Sequence, residues 1–335
     1  MNKLSKFCNE LSNHTDIKPE IYLSPATGYR ARAEFGFSKN YFTMVSHKHK
    51  IYMDQSSIPH PSIQQLMPNL LSKINKSEII KKKLFQVNFR TSGTKVLATL
   101  IYHKTLEEEW IQAAKNIQDS LPNISTIGRS KKQKVIIGKE DLELLCNYAN
   151  SSFKILQNDS VFFQPNFYLY SLMISFITKQ LEDPRDLLEL YCGCGGFTLP
   201  LASKFNKVFA TENNRHSIRL LKESIKLNNL SNIQTARLSD DETASALANE
   251  RPFRRLENID MQSYEFSHIL VDPPRAGLST ETIKLSKQFK NMIYISCNPE
   301  TFLRDMVKVN RKIESIGIFD QFANTQHIEV VALLK

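Results

Sequence analysis

Apolar positions recur with a period of two in the first part of the chain. After residue 180 they give way to continuous apolar runs that alternate with helical repeats. In YRARAEFGF (29–37), Tyr29, Ala31, Ala33, Phe35 and Phe37 alternate with Arg30, Arg32 and Glu34, the pattern of a half-buried strand with one polar face. Strand-like runs follow at 41–46, 50–54, 83–89 and 96–103, and then 107–121 reads as an amphipathic helix with its acids in the first turn. Further on, DLLELYC (186–192) is nearly all apolar, as a strand covered on both faces requires. A helix is expected from 197, a strand at 207–212 and a helix over 215–229. Three more strands fall at 233–239, 267–274 and 292–297, and the runs 313–320 and 327–334 lie close enough to close the sheet as a hairpin. The spacing predicts an α+β unit over 1–160 and, over 161–335, an open, mostly parallel α/β sheet that binds ligands beyond the carboxyl ends of its strands.

At 335 residues with 41% apolar and 23% charged positions, the chain suits about two globular domains and excludes disordered, collagen-like and disulfide-scaffold classes. The net charge of +10 favours an anionic partner, and its distribution is uneven. Residues 1–160 hold 23 Lys/Arg against 14 Asp/Glu, while 161–335 hold 21 against 20, so the excess belongs to the first half. The clusters KKK (81–83) and RSKKQK (129–134) are its densest points. The longest uncharged stretch, 161–178, is interrupted by Gln164, Pro165 and Asn166 and reads as a buried helix, so no membrane anchor is expected. An N-terminus without signal-peptide character and five dispersed cysteines suit a reducing cytoplasm.

Glycine is scarce, ten in all, yet Gly193, Gly195 and Gly196 crowd one strand-to-helix turn where backbone can approach a ligand. Glu212 ends the next strand, where an acid can accept hydrogen bonds from a ribose. Thr198 occupies the sixth position, where a nicotinamide-dinucleotide fingerprint needs glycine, and Glu189 before the turn suits an ammonium better than a pyrophosphate. The combination fits S-adenosyl-L-methionine, with an ordinary tight turn as the alternative.

VDPPRAGL (271–278) places Asp272 at a strand mouth, stiffened by two prolines, with Arg275 offering a donor fork suited to the carbonyl oxygens of uracil. Cys297, in YISCNPET, ends the next strand. A thiolate there can add to uracil carbon 6 and make carbon 5 nucleophilic, although thiols at strand ends are also common core residues. A base must then take the carbon 5 proton; Glu329 is one choice and His327 its rival. The single C-x-C of Cys192 and Cys194 cannot complete a four-ligand metal site, and no metal is expected.

With LLELYCGCGG (187–196), VDPPRAGL, YISCNPET, FDQF…QHIEV (319–330), FFQPN (162–166) and YRARAEF (29–35) in this arrangement, the chain resembles the tRNA (uracil-5-)-methyltransferase family along essentially its whole length. The resemblance implies a C-terminal Rossmann-like methyltransferase domain and an N-terminal RNA-binding domain. It further implies formation of 5-methyluridine at position 54 of the tRNA T loop, with S-adenosyl-L-methionine as cofactor, the T arm as partner and a monomer as the acting form. By the same resemblance Cys297 is the nucleophile and Glu329 the base. Gln164, Tyr191, Gly193, Gly196, Glu212 and Asp272 belong to the cofactor site; Arg275 and Phe162 belong to the uracil pocket, and His103, Lys104, Arg129 and Lys134 face RNA. Cys194 and Gly196 stand where family tRNA enzymes carry two asparagines, and Ala323 and Asn324 replace a Pro–aromatic pair. Ribosomal-RNA relatives commonly add an iron–sulfur cysteine cluster, and many an N-terminal β-barrel. Neither is found here, which favours tRNA over rRNA. An RNA-binding folding factor without catalysis is the rival from another class, and it has no need of Cys297, Asp272 and Glu329 together.

Overall fold

Burial of Phe7 and Leu11 decides where the start of the chain belongs. Both sit in the same hydrophobic core as Leu188, Ile269, Tyr294 and Phe302, because the helix Lys3–Leu11 presents its apolar stripe there. The computed structural model describes residues 2–46, 48–148, 151–323 and 325–335. Packing divides the chain into one unit of Met1–Ser24, Leu145–Ile155 and Val161–Lys335, and a second of Pro25–Leu144 and Leu156–Ser160. The expected single boundary at 160 differs from this division in two places. The first 24 residues join the later unit through the helix and a short strand, β1 (Glu20–Tyr22), which pairs in parallel with Gly317–Phe319. Residues 145–155 join it as well.

The smaller unit is a seven-stranded sheet. In chain order its strands are β2 (Arg32–Ser38), β3 (Tyr41–Ser46), β4 (His49–Met53), β5 (Leu84–Thr91), β6 (Val96–Tyr102), β7 (Ile124–Ser130) and β8 (Gln133–Ile137), arranged β4-β3-β2-β5-β6-β7-β8. Neighbours are antiparallel except β6 and β7, whose parallel pairing needs the crossover helix Glu108–Asp119. That helix and Pro61–Lys76 cover one face. Ala33, Phe35, Val87, Phe89, Ala98 and Leu100 point into it against Ile63, Met67, Leu70, Trp110 and Ala114. The period-two pattern of 29–37 is kept: Ala33 and Phe35 are buried while Arg32 and Glu34 are exposed.

A two-stranded ribbon, β9 (Leu142–Tyr148) and β10 (Ser151–Gln157), leads out of this sheet. Lys154 docks on the helix Arg215–Leu227: its backbone N–H donates to Asn228 Oδ1 at 2.8 Å, and Asn228 Nδ2 donates back to its carbonyl at 2.7 Å.

The larger unit holds an eight-stranded sheet that adds β11 (Asp186–Leu190), β12 (Lys207–Thr211), β13 (Ile233–Ala236), β14 (Phe266–Val271), β15 (Asn291–Ser296), β16 (Ile313–Phe319) and β17 (Glu329–Leu334) to β1. Its order is β1-β16-β17-β15-β14-β11-β12-β13. β11 is buried along its whole length between two parallel neighbours, as its apolar run requires, and its leading residue Asp186 accepts the backbone N–H groups of Lys207 and Glu265 at 3.0 and 2.7 Å. β16 and β17 form the closing antiparallel hairpin expected from the sequence. The topology is α/β and Rossmann-like, and the order reverses at β11, which opens a crevice at the carboxyl ends of β11 and β14. Among the described residues no helix is long and apolar enough to cross a membrane.

Candidate active site

That crevice is a cavity of about 610 Å³. Its walls are successive strand ends: Tyr191 and Gly193 after β11, Glu212, Asn213 and Asn214 after β12, Leu238, Ser239 and Asp240 after β13, Asp272 to Arg275 after β14, and Cys297 after β15. Phe162, 59% exposed, and Ser217 complete it with Glu329.

Backbone shape comes first. Tyr191 and the glycines at 193 and 195 all have positive φ, so the chain leaves β11 in a tight left-handed turn. At Gly195 a Cβ would stand 2.5 Å from Leu221, so only glycine fits against the helix. At Gly193 a Cβ would meet nothing, which leaves bare backbone facing the cavity, and its N–H donates to Glu212 Oε2 at 3.2 Å. Across the cavity Tyr191 Oη donates to Asp240 Oδ2 at 2.6 Å, and Ser279 and Thr282 hydroxyls donate to the same oxygen at 2.7 and 3.1 Å. Burial alone would raise the Asp240 pKa. Those donors outweigh it and hold the carboxyl below its ordinary value.

Register brings the thiol and a carboxyl together. β15 and β17 are antiparallel with Ser296 opposite Val330, so the next residue of one strand, Cys297, meets the preceding residue of the other, Glu329. Burial pushes the Cys297 thiol up to about 12. The neighbouring Glu329 and Asp272 add to the rise, and the Arg275 guanidinium offsets part of it. Glu329 is held far above the usual carboxylate range by burial and then by Asp272, and Asp272 is itself raised by burial. Behind the turn Glu189 is also raised, to about 8, by burial.

Arg275 is placed by the helix that follows the thiol. Asn298 caps the helix Pro299–Val309 and donates to the Arg275 carbonyl at 3.1 Å; Arg304 donates to the Ala276 carbonyl at 2.7 Å, and buried Asp305 accepts the Leu278 N–H at 2.8 Å. Gly277, at φ +82°, leaves no room for a Cβ beside Asp305.

Of the residues singled out from the sequence, Phe162, Tyr191, Gly193, Glu212, Asp272, Arg275, Cys297 and Glu329 line this one cavity. Gln164 and Gly196 do not. Gln164 is buried and accepts from Gln321 Nε2 at 3.2 Å, and the Gly196 carbonyl accepts from Tyr170 Oη. Sequence reasoning missed Asn213, Asn214, Ser217, Leu238, Ser239 and Asp240. One signal for them exists: Ser239 and Glu242 form a capping box that marks a helix start directly beyond β13. His327 lies outside the cavity wall, its Nδ1 accepting from Arg275 Nη2 at 3.2 Å. Asn324 lies outside the described residues.

In the smaller unit His103, Lys104 and Arg129 line a cleft of about 990 Å³ together with Phe85, Lys131 and Lys132. The Phe85 and His103 rings stack at 3.9 Å. Lys134 sits apart from it, paired with Glu140 and, at 3.0 Å, with Asp159, which also accepts from Arg129 Nε at 2.7 Å. Burial alone would raise Asp159, but those two donors outweigh it and hold the carboxyl low. Among the described residues no group of three or more His, Cys, Asp or Glu is placed to hold a metal ion. Cys192 and Cys194 are buried and form no disulfide, and the Cys194 thiol donates to the Phe162 carbonyl at 3.5 Å.

The donor set of the cavity bears on a cofactor. Four carboxyl groups (Glu212, Asp240, Asp272, Glu329) face one guanidinium among the described residues of its lining, and bare backbone lies at Gly193. An organic cation carrying a ribose fits such a lining, and a pyrophosphate does not.

Residues 1–335 match a family model described as tRNA (Uracil-5-)-methyltransferase. The chain is 39% identical over 333 residues to a tRNA/tmRNA (uracil-C(5))-methyltransferase of a Nitratiruptor species, with 98% of this chain and 92% of the relative covered. It is 39% identical over 349 residues to the protein of that description from Acinetobacter baylyi, with 99% and 96% covered. The crystal structure of Pyrococcus abyssi tRNA (uracil-54, C5)-methyltransferase in complex with S-adenosyl-L-homocysteine superimposes with a TM-score of 0.77 at 22% identity, over 99% of this chain and 83% of that one, a likeness of fold.

Proposed function

The chain belongs to the tRNA (uracil-5-)-methyltransferase family, and on that premise we propose that it methylates uracil carbon 5 of tRNA with S-adenosyl-L-methionine, at position 54 of the T loop. One observation carries the reading: Cys297 and Glu329 meet by strand register in a cavity whose other end is bare backbone and carboxylates suited to a ribose-bearing cation. S-adenosyl-L-methionine, when bound, supplies an electrophilic methyl group on a positively charged sulfur. Gly193 and Glu212 hold its ribose side, and Asp240, fixed by Tyr191, Ser279 and Thr282, bounds the far wall.

The uridine leaves the T-loop stack to reach the thiol. Cys297 gives its proton to water and forms an S–C6 bond, and the C5–C6 electron pair moves onto carbon 5 and its neighbouring carbonyl. Arg275 favours the thiolate electrostatically and is placed to donate to a uracil oxygen. Carbon 5 would then be nucleophilic toward the methyl group that S-adenosyl-L-methionine would supply, the methyl–sulfur bonding pair remaining with the sulfur. Glu329 removes the carbon 5 proton, the C–H pair restores the C5–C6 double bond, and the S–C6 pair returns to Cys297. A carboxyl raised by burial is a stronger base than a free one once ionised, which suits that step. The smaller unit holds the tRNA T arm on its basic cleft through His103, Lys104 and Arg129, with Phe85 and His103 offering a stacking face. The acting form is a cytoplasmic monomer.

Methyl transfer from labelled cofactor to unmodified tRNA and, side by side, to rRNA tests the reading. Label in 5-methyluridine at position 54 of tRNA is the expected result; label confined to rRNA, or no transfer at all, overturns it.

A further inference from the structure

The loop between β16 and β17, described over 320–323 and 325–328, runs directly into Glu329, the first residue of its strand. Phe319 and Glu329 are directly opposite in register, so the loop is the only covalent link across that end of the hairpin. Its two limbs are clasped by one side chain from a distant part of the sequence. Lys3 Nζ lies 2.5 Å from Asp320 Oδ1 and donates to the Phe322 carbonyl at 2.8 Å on one limb, and to the His327 carbonyl at 3.0 Å on the other. Two backbone carbonyls, one on each limb, accept N–H groups of the ammonium, and the Asp320 carboxylate faces it as an ion pair. The Lys3 side chain is 11% exposed and that of Asp320 12%, so the clasp is largely withdrawn from water.

The clasp connects to the chemistry through His327. With its backbone carbonyl fixed by Lys3, the His327 ring accepts from Arg275 Nη2 at 3.2 Å. Arg275 and Cys297 line both the strand-end cavity and a recess of about 340 Å³ whose wall includes Lys3 and His327. Two residues beyond His327, Glu329 stands beside the thiol.

We propose that Lys3 is a positioning residue for methyl transfer: by clasping both limbs of the 320–328 loop it sets His327 against Arg275 and Glu329 against Cys297. Lys3 touches neither cofactor nor RNA in this role. Two carbonyls and a carboxylate of the loop already engage its ammonium, so it is a poor phosphate ligand, unlike exposed lysines. The role rests on the reaction proposed above, in which Arg275 and Glu329 act on the uracil.

The test is Lys3→Met, which keeps most of the aliphatic stem and removes the ammonium, assayed beside wild-type enzyme, Lys3→Arg and, as a control on the same helix, Lys6→Met. Single-turnover and steady-state methyl transfer to tRNA are measured with cofactor binding and amide hydrogen exchange. In Lys3→Met we expect kcat to fall about tenfold or more, as small misplacements of reacting groups do. Cofactor affinity and KM for tRNA should stay within about twofold, exchange should quicken in 320–328 but not around 191–196, and Lys3→Arg should recover part of kcat. Asp320→Asn should show the same split, and the double variant should fall no further than the worse single one, because the two act through one contact. Wild-type kcat in Lys3→Met overturns the proposal. So does a raised KM for tRNA at unchanged kcat, which marks Lys3 as an RNA contact. Joint loss of cofactor affinity, or failure of both Lys3→Met and Asp320→Asn to fold, overturns it too, since the clasp then serves stability alone. Absence of transfer by the wild-type enzyme would instead strike the proposed reaction.

Discussion

The two units differ in where their charges are kept. The unit with the seven-stranded sheet carries 19 Lys/Arg against 11 Asp/Glu, and its cleft is lined by cationic side chains, of which Lys131 and Lys132 are exposed at the turn between β7 and β8. The unit with the eight-stranded sheet carries 25 against 23, and its ionisable groups of interest are acids buried at strand ends. A polyanion is attracted by surface cations through long-range, salt-screened forces, so those groups need number more than exact placement. Bond-making groups need altered proton affinity and fixed geometry, which burial and register supply at the cost of exposure. Attraction and chemistry therefore make opposite demands on a side chain, and here the surface cations and the buried acids lie on different sheets.

The sharpest way to break that division is Cys297→Ala. Transfer should fall by roughly four orders of magnitude or more, as removal of a nucleophile does. Binding of tRNA and of cofactor should stay within about twofold, measured by filter retention and calorimetry. A variant that keeps turnover ends the covalent mechanism; one that loses tRNA binding ends the separation of the two roles.

Glu329→Gln comes next, with turnover lowered by about 10²–10⁴. Adduct formation at Cys297 does not need the base, so a denaturation-resistant protein–RNA species should accumulate on gels. Slow turnover with no such species would move Glu329 to an earlier step and bring His327 back into contention.

The thiol itself gives a pH test. With its pKa pushed up to about 12, against about 8.5 for a free cysteine, the thiolate fraction of Cys297 at pH 8 is lower by roughly three orders of magnitude. Alkylation by iodoacetamide, mapped to Cys297 by mass spectrometry, should be slow at pH 7 and rise about tenfold per pH unit toward pH 11. The sign follows from the cause: burial and the neighbouring carboxyls disfavour the anion, so added positive charge should favour it. S-adenosyl-L-methionine should accelerate the reaction, and S-adenosyl-L-homocysteine, whose sulfur is neutral, should not. Equal effects of the two ligands would remove the electrostatic explanation.

Legibility in the sequence divides along the same line. β11, β14 and β15 are apolar runs followed at once by Tyr191, Asp272 and Cys297, so cavity-lining residues announce themselves at strand ends. The residues by themselves leave Glu329 and His327 as rivals, and only the family resemblance favours Glu329, because the choice depends on the antiparallel register of β15 with β17. Asp240 was hidden for a related reason: 233–239 reads as one strand, whereas β13 ends at Ala236 and the chain turns into a capped helix. In the other unit, helix Pro61–Lys76 was missed although Ile63, Leu66, Met67, Leu70, Leu71 and Ile74 follow helical spacing. Pro61 occupies the first turn, where its missing N–H costs nothing. The RSKKQK run reads as a charge cluster and is in fact the β7–β8 hairpin, with Ser130 opposite Gln133. Tertiary pairing decided each of these.

The smallest effect belongs to the basic cleft, and it is the one that bears on the smaller unit. Lys131→Glu with Lys132→Glu alters two exposed cations at the β7–β8 turn without touching the Arg129–Asp159–Lys134 cluster that stabilises the sheet's edge. At low salt KM for tRNA should rise about tenfold, and the slope of log affinity against log salt should become shallower by about two, one for each lost phosphate contact. Because neither lysine lines the catalytic cavity, kcat at saturating tRNA should hold, and so should cofactor affinity. A fall in kcat at saturation would mean that the cleft orients the reacting uridine as well as attracting the RNA. An unchanged salt slope would mean that tRNA is gripped elsewhere on the chain.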